Sequence, residues 1–207
     1  MASPHTSLTE MFASHGAHAA ATTGAVTAVA AAQNNTRVAT AETRLAALTA
    51  AAAAKNNSMV AAEKNKTAAF DAMMAAIEQK QGQMWVIKDF DKLEGKVVGS
   101  GKCPGIVQSH GGLPLVKAWF EGPKVRGLSV TPYGTAVATF VNGRYPNWET
   151  GNHVAIYIDQ HPAKGVLVFD QWTGEPAGYR WMKFGDGVSD RSNDGAALSI
   201  ILTRKAN

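Results

Sequence analysis

The only cysteine of this 207-residue chain lies in a glycine-rich stretch, GKCPGIVQSHGG, at residues 101–112. A thiolate is a strong nucleophile, which makes a lone cysteine a candidate for covalent catalysis. Pro104 favours the first position of a helix, so Cys103 is predicted to be the N-cap residue at the positive end of the helix dipole. That placement favours the thiolate and lets the Cys103 backbone N–H help to hold an oxyanion. Free cysteine is also among the most buried residue types, so a packing role stays open at this point.

Three histidines follow Cys103 and are candidates for the base that such a nucleophile requires. His110 lies two helical turns further along the same short element, about 10 Å away along the helix axis, which is too far for a hydrogen bond. His161 lies in DQHPAKG, a predicted turn, where solvation is expected. His153 begins a predicted strand directly after TGN and is the favoured base, with a purely structural strand histidine as the alternative.

A predicted hairpin between NHVAIYI and GVLVFDQW supplies a third group. With a turn centred between His161 and Pro162, His153 pairs directly with Asp170. Directly opposed residues on antiparallel strands share a face, with Cβ atoms about 5 Å apart. A carboxylate there orients the imidazole and stabilises its protonated form. Asp159 is the rival carboxylate, but it lies six residues further along the strand, about 20 Å away.

Other chemistries have weaker support. The sequence has no G-x-S-x-G motif for a serine nucleophile and no H-E-x-x-H motif for zinc. His153 and His161 with Asp170 have no recognised metal-ligand spacing. One cysteine excludes an intrachain disulfide and any multi-cysteine metal or iron–sulfur site. The sequence therefore predicts neither a metal nor a cofactor.

The segment that carries these residues is predicted to be α+β. Runs of β-branched and aromatic residues bounded by turn formers predict strands at 135–141, 153–158, 165–170, 181–184 and 197–203. A short helix is predicted from Pro104, and LPLVKAWF is predicted to form a second one.

Composition changes near residue 85, which divides the chain into a helical segment at 1–85 and a domain at 86–207. Residues 1–83 are rich in alanine, with no tryptophan or tyrosine and no proline beyond Pro4. Two apolar seams predict two helices joined as a hairpin, with KNNS at 55–58 as the break and Ser58 as an N-cap. The seams consist of Val38, Ala41, Leu45, Leu48 and Ala52, and of Phe70, Met73, Met74 and Ile77. This segment is interpreted as a solvated spacer or as a docking or delivery region.

The charge pattern narrows the possible partners. The net charge is +4 with a pI of about 9.2, but the basic residues are dispersed, so no nucleic-acid site is predicted.

No lysine or arginine precedes Arg37, so the N-terminus does not resemble a secretory signal. No run of about 18 strongly apolar residues predicts a membrane span. If the protein acts outside the cytoplasm, we expect export by a route other than an ordinary signal peptide.

Cys103, His153 and Asp170, in this order, make residues 95–205 resemble the papain-like peptidoglycan amidases of the CHAP and NlpC type. Those proteins place a cysteine at the start of a helix, a histidine on the first central strand of a small sheet and a polar residue on the next strand. The strings GTAVATFVNGRYPNWETGNHVAIYI and VLVFDQW also resemble a bacterial family related to the amidase effectors of type VI secretion. The resemblance implies a papain-like cysteine amidase domain that hydrolyses a stem-peptide amide of peptidoglycan through a thioester, with Cys103 as nucleophile, His153 as base and Asp170 as orienting group.

The same resemblance implies partners and a place of action. We expect an effector made in the bacterial cytoplasm, exported to the periplasm of a target cell and neutralised in the producer by an immunity protein, with the N-terminal helices as a contact for the secretion machinery. A phage-associated lysin and a non-catalytic peptidoglycan- or partner-binding module remain alternatives.

Further site residues are predicted from position alone. Tyr133, Asn152 and Gln171 are candidate oxyanion donors, and Arg144 is a candidate contact for a stem-peptide carboxylate. Aromatic residues near the site are expected either to line a substrate groove or to pack in the core. They are Tyr145, Trp148, Trp172 and Tyr179.

Overall fold

A computed structural model describes residues 8–128, 130–185 and 190–205 of the chain, with side chains described from residue 21 onward. The chain divides into two compact units between Ala61 and Ala62. One α-helix, α1 (Leu8–Gln79), supplies all the described residues of the first unit and continues into the second. The predicted functional division at residue 85 stays a prediction, and the boundary between the compact units lies earlier in the sequence. Among the described residues, no helix combines the length and apolar character needed to cross a bilayer.

The predicted break at KNNS is wrong, because α1 runs through residues 55–58 without interruption. Asparagine and serine cost only about 0.5 kcal/mol each relative to alanine inside a helix, and the flanking alanines favour helix strongly. Threonine hydroxyls along α1 donate to the carbonyl four residues earlier, as Thr36 does to Ala32 at 2.9 Å. The first predicted seam lies exposed in the described structure, with Leu45 at 66% and Leu48 at 69% exposure.

The second predicted seam is half correct. Met73 and Ile77 are buried against Ile200 and Leu202, whereas Phe70 and Met74 stay exposed. The last turns of α1 therefore belong to the core of the second unit.

The described residues of the second unit contain a seven-stranded antiparallel sheet, which confirms the predicted α+β class. The strand order is β1-β7-β3-β4-β5-β6, and β2 also pairs with β7, at Ser199, Ile201 and Leu202. The strands are β1 (Gly82–Met84), β2 (Phe120–Lys124), β3 (Ala136–Thr139), β4 (Val154–His161), β5 (Gly165–Trp172), β6 (Glu175–Met182) and β7 (Leu198–Arg204). Short 3₁₀ turns occupy Phe90–Leu93, Val116–Ala118, Arg191–Asn193 and Gly195–Ala197.

Two predicted elements differ from the observed ones. The helix predicted in LPLVKAWF is only the 3₁₀ turn Val116–Ala118, because the indole N–H of Trp119 donates to the Pro114 carbonyl and the chain then enters β2. The strand predicted at 181–184 ends at Met182 and begins at Glu175. Pro176 is tolerated there because β6 is the edge strand of the sheet.

Candidate active site

Cys103 is the first residue of a short helix, α2 (Cys103–Gly105), which continues as a π-helical turn from Ile106 to His110. The predicted helix start is wrong by one residue, because Lys102 with extended backbone is the N-cap and Pro104 is the second helical residue. Ile106 is fully buried and anchors this element in the core. The Cys103 N–H, as a first-turn donor, has no carbonyl of its own helix to bond.

The loop before Cys103 is held by the side chain of Gln171, which is fully buried on β5. The Val98 backbone N–H donates to Gln171 Oε1 at 2.9 Å. Gln171 Nε2 donates to the carbonyl oxygens of Val98 at 2.7 Å and Lys102 at 3.0 Å. Glycine is required at position 105, next to these hydrogen bonds, because a Cβ there would lie 2.8 Å from the Val98 carbonyl oxygen. Gln171 was predicted as an oxyanion donor, but its amide group is instead occupied by the loop that positions Cys103.

His153 and Asp170 meet in the interior of the site, as the sequence predicted. His153 Nε2 lies 2.6 Å from Asp170 Oδ2, and the side chains are 5% and 1% exposed. Because Nε2 faces the carboxylate, Nδ1 is the nitrogen left to exchange a proton with a thiol.

The register that predicted this contact is nevertheless wrong by two residues. Ile156 pairs with Phe169, where the predicted turn would have paired it with Leu167. The turn is longer than predicted, since His161 pairs with Gly165 across three intervening residues. A shift of two residues keeps every side chain on its face, so Asp170 lies diagonally rather than directly opposite His153 and is still within reach.

Arg180 on β6 is a third member of this cluster that sequence reasoning missed. Its Nε donates to Asp170 Oδ2 at 2.8 Å, and its Nη2 lies 3.3 Å from His153 Nε2. The guanidinium also covers the ring of Trp172 at 4.9 Å. The sequence offered one indication of this role: Arg180 lies between two aromatic residues, in YRW, in the stretch that follows the predicted strand of Asp170.

Tyr145 lies against the sulfur of Cys103, with its hydroxyl 3.7 Å from Sγ. Its side chain is 7% exposed and packs on Trp119 with ring centroids 5.4 Å apart. The sequence indicated Tyr145 only as one of several aromatic residues flanking the site.

The pKa values of the thiol and the imidazole shift in complementary directions. Burial raises the pKa of the Cys103 thiol, but the hydrogen bond and charge of His153, the Tyr145 hydroxyl and the Val154 backbone N–H outweigh burial and lower it below its ordinary value. Burial lowers the pKa of His153, but hydrogen bonds and charges of Asp170 and Cys103 outweigh burial and raise it. Burial and the charge of Cys103 raise the pKa of Tyr145, so its hydroxyl stays a neutral donor. Together these shifts favour a thiolate beside an imidazolium.

The rejected histidines and the rival carboxylate lie elsewhere. His110 is exposed, with Nε2 2.8 Å from the Lys88 carbonyl oxygen. His161 is exposed at the far end of β4, where its Nδ1 accepts from the Ala163 N–H. Asp159 is also exposed.

Of the two other candidate oxyanion donors, Asn152 uses its Oδ1 to accept from the Trp148 N–H at 2.6 Å. Tyr133 is 58% exposed and packs on Phe90.

The remaining predicted contacts are mostly exposed. Arg144 is exposed, Trp148 is 56% exposed and Tyr179 is 42% exposed. Trp172 approaches the catalytic candidates most closely, with its ring edge-on to His153 at 6.4 Å between centroids. Within the described ranges, no three His, Cys, Asp or Glu side chains are grouped so that they could hold a metal ion.

The chain is similar to known amidase effector proteins. A family model described as "Domesticated amidase effector 2" (Dae2) matches residues 73–201, which include Cys103, His153 and Asp170. A Salmonella typhi protein, "Type VI secretion amidase effector 2 protein", is 38% identical over 82 residues, or 40% of this chain. That match spans 61% of the length of the Salmonella protein.

A solved structure, "Type 6 secretion amidase effector 2 (Tae2)", is 28% identical with a TM-score of 0.52 and covers 59% of this chain and 96% of that one. This likeness, with a cysteine-bearing helix start beside an antiparallel sheet, confirms the predicted papain-like α+β fold. Because the family model covers more than half of the sequence and all of the candidate site, the chain belongs to the domesticated amidase effector 2 family.

Proposed function

We propose that the chain is a peptidoglycan amidase that cleaves an amide bond of the stem peptide through a thioester on Cys103. The observation that carries this proposal is the meeting of one thiol, one buried imidazole and one buried carboxylate, with pKa shifts that favour the thiolate–imidazolium pair. Membership of an amidase effector family supports the choice of an amide as the bond attacked.

In the first half of the reaction, the Cys103 thiolate attacks the carbonyl carbon of the amide. His153, which took the thiol proton, returns it to the leaving amine as the C–N bond breaks. Asp170 accepts from Nε2 and keeps Nδ1 directed at the sulfur. The Cys103 N–H is the first donor for the oxyanion, because it lies at a helix start.

In the second half, a water molecule gives a proton to His153 and attacks the thioester carbonyl. The C–S bond breaks, the carboxylic acid leaves, and Cys103 and His153 return to their starting state. The Tyr145 hydroxyl, 3.7 Å from Sγ, stabilises the thiolate at the start and the end of the cycle.

The biological role follows from the family. We propose an antibacterial type VI effector that acts on the wall in the periplasm of a target cell and is paired with an immunity protein in the producer. Most of α1 lies before the family match, which begins at residue 73, and this helical segment is proposed to contact the secretion machinery.

Digestion of purified muropeptides by the full chain tests the enzymatic proposal. We expect the wild type to release a new amine and a new carboxylate in the stem peptide, detected by mass spectrometry. Cys103→Ala and His153→Ala should reduce the rate by at least about 10³-fold. His161→Ala is the matched control, because it removes an exposed histidine at the end of β4, the strand that begins directly after His153, and it should retain the wild-type rate.

Two outcomes contradict the proposal. Equal cleavage by the wild type and Cys103→Ala would remove the cysteine mechanism. Binding of the wild type to sacculi without cleavage would instead identify a non-catalytic wall-binding module.

A further inference from the structure

We propose that Arg180 is a positioning residue of the amidase site, which fixes the Asp170–His153 pair through its guanidinium plane and tunes that pair through its charge. This inference rests on the proposed function, because it assigns a role within the same reaction.

Two nitrogens of the Arg180 guanidinium donate hydrogen bonds, and the third lies against the ring of His153. Nε donates to Asp170 Oδ2 at 2.8 Å, and Nη1 donates to Asn193 Oδ1 at 3.0 Å. Nη2 lies 3.3 Å from His153 Nε2. One face of the guanidinium covers the ring of Trp172. Because a guanidinium is planar, these contacts fix its orientation, whereas an ammonium group is a point charge and cannot reproduce them.

A second set of contacts fixes the partner of Arg180 in turn. The side chain of Asp190 accepts from the Ser192 N–H at 2.9 Å, from the Ser192 hydroxyl at 2.6 Å and from Asn193 Nδ2 at 2.9 Å. With its amide nitrogen bonded to Asp190, Asn193 presents its oxygen to Arg180. A surface turn is thereby connected to the carboxylate that orients the imidazole.

The same Asp170 oxygen accepts from both Arg180 and His153, and this sharing has a chemical consequence. The contact of 2.6 Å to Asp170 is shorter than the contact of 3.3 Å to Arg180, so the Nε2–H of His153 donates to the carboxylate. The cation beside the ring opposes the proton on His153, whereas Asp170 and the Cys103 thiolate favour it.

In the part of the chain that the structure describes, the charged groups that face His153 are Asp170 on β5, Cys103 on α2, Arg180 on β6 and Asp190 before the Arg191–Asn193 turn. Arg180 is the cation among these four. A substitution that removes the positive charge of Arg180 therefore raises the pKa of His153. A substitution that keeps the charge and changes only the shape of the side chain leaves this pKa unchanged.

Variants of Arg180 in the full chain separate these two effects. Arg180→Gln removes both the charge and the fork, and Arg180→Lys keeps the charge. We expect each to lower kcat for muropeptide cleavage by about 10- to 100-fold, the value of one charge-assisted hydrogen bond. In Arg180→Gln the alkaline limb of the kcat/KM profile also moves to higher pH, whereas in Arg180→Lys it stays in place.

A titration of the His153 imidazole by NMR gives a readout that does not depend on activity. The pKa of His153 should be higher in Arg180→Gln than in the wild type and unchanged in Arg180→Lys. Arg126→Gln is the matched control for net charge, because Arg126 is exposed and stacks on Phe184, and it should change neither kcat nor the titration.

Three outcomes would count against the roles proposed for Arg180 or against the proposed function. Wild-type kcat in both Arg180 variants would overturn the positioning role. An unchanged His153 pKa in Arg180→Gln would overturn the tuning role, in a variant whose fold is checked by tryptophan fluorescence. If the wild type itself fails to cleave, the proposed function fails, while the NMR titration still decides the effect of Arg180 on His153.

Discussion

Gln171→Ala should destabilise the second compact unit and loosen the nucleophile at the same time. The side chain is fully buried and makes three hydrogen bonds to the loop before Cys103, two to Val98 and one to Lys102. At about 1 kcal/mol for each bond, the variant should lose about 3 kcal/mol in the free energy of unfolding. With a urea m-value of about 2 kcal/mol/M, the midpoint should fall by about 1.5 M.

Urea unfolding followed by tryptophan fluorescence measures this loss. All five tryptophans lie at or after residue 85, so the signal reports the second unit and not the helix before Ala62. Gln108→Ala is the matched control, because Gln108 makes one bond, at 3.2 Å, to the Pro114 carbonyl. It should cost about 1 kcal/mol or less. Equal urea midpoints for the two variants would show that the three Gln171 hydrogen bonds do not stabilise the second unit.

Gln171→Glu adds a pH dependence with a definite sign. The introduced carboxyl keeps an acceptor for the Val98 N–H but faces two carbonyl oxygens, where only its protonated form can donate. Its folded-state pKa is therefore raised above that of the unfolded chain, so the stability of the variant is greatest below the ordinary glutamate pKa of about 4.3 and is lost as pH rises. The stability deficit relative to the wild type should shrink on acidification. A stability deficit independent of pH would contradict the contacts of the residue 171 side chain with the Val98 and Lys102 carbonyl oxygens.

Three further predictions follow from other parts of the structure. Tyr145→Phe removes the hydroxyl 3.7 Å from Sγ, so the thiol pKa should rise and alkylation at pH 6 should slow; an unchanged rate would show that the hydroxyl does not stabilise the thiolate. Ile77→Ala should cost about 2–5 kcal/mol in the urea assay because Ile77 is 3% exposed, and Met74→Ala, which truncates an exposed side chain of the same helix in the same unit, should cost about 0.5 kcal/mol or less; a reversed order would contradict the packing of the last turns of α1 on the sheet. Because His153 lowers the pKa of Cys103, iodoacetamide should label the wild type at pH 6 faster than a free thiol and label His153→Ala more slowly than the wild type; equal rates in both proteins would contradict the pairing.

Strands with apolar, β-branched sequences could be predicted because period and composition agree. HVAIYI overlaps β4 from Val154 onward, GVLVFD lies within β5, and ALSIILT closely matches β7. The start of β6 could not be predicted, because EPAG contains two strand-disfavoured residues. Only its position at the sheet edge permits them.

The His153–Asp170 contact could be predicted even though the assumed turn was wrong. Side chains alternate along a strand with a period of two, so an error of two residues in register preserves the face and an error of one destroys it. The true register depends on a three-residue turn and on a bulge between Tyr157 and Asp159. Neither feature has a clear local signature in DQHPAKG.

The contacts of Tyr145 and Arg180 could not be predicted, because each depends on separate stretches of the chain meeting. Tyr145 is 42 residues from Cys103 along the sequence. Arg180 reaches Asp170 only because β6 pairs with β5 so that Gly178 lies opposite Asp170.

The continuity of α1 has a local cause. The helix-forming alanines on both sides of KNNS outweigh the weaker helix preference of asparagine and serine, so the helix continues through residues 55–58.

The role of Cys103 as nucleophile is tested most directly by labelling this single cysteine and measuring the activity that remains. Iodoacetamide is added to the full chain at pH 6, the labelled fraction is read by intact mass, and muropeptide cleavage is measured on the same samples. Since Cys103 is the only cysteine, the mass change reports one site. If Cys103 is the nucleophile, activity falls in direct proportion to labelling and vanishes at one label per chain. Full activity in completely labelled protein would show that Cys103 is not the nucleophile.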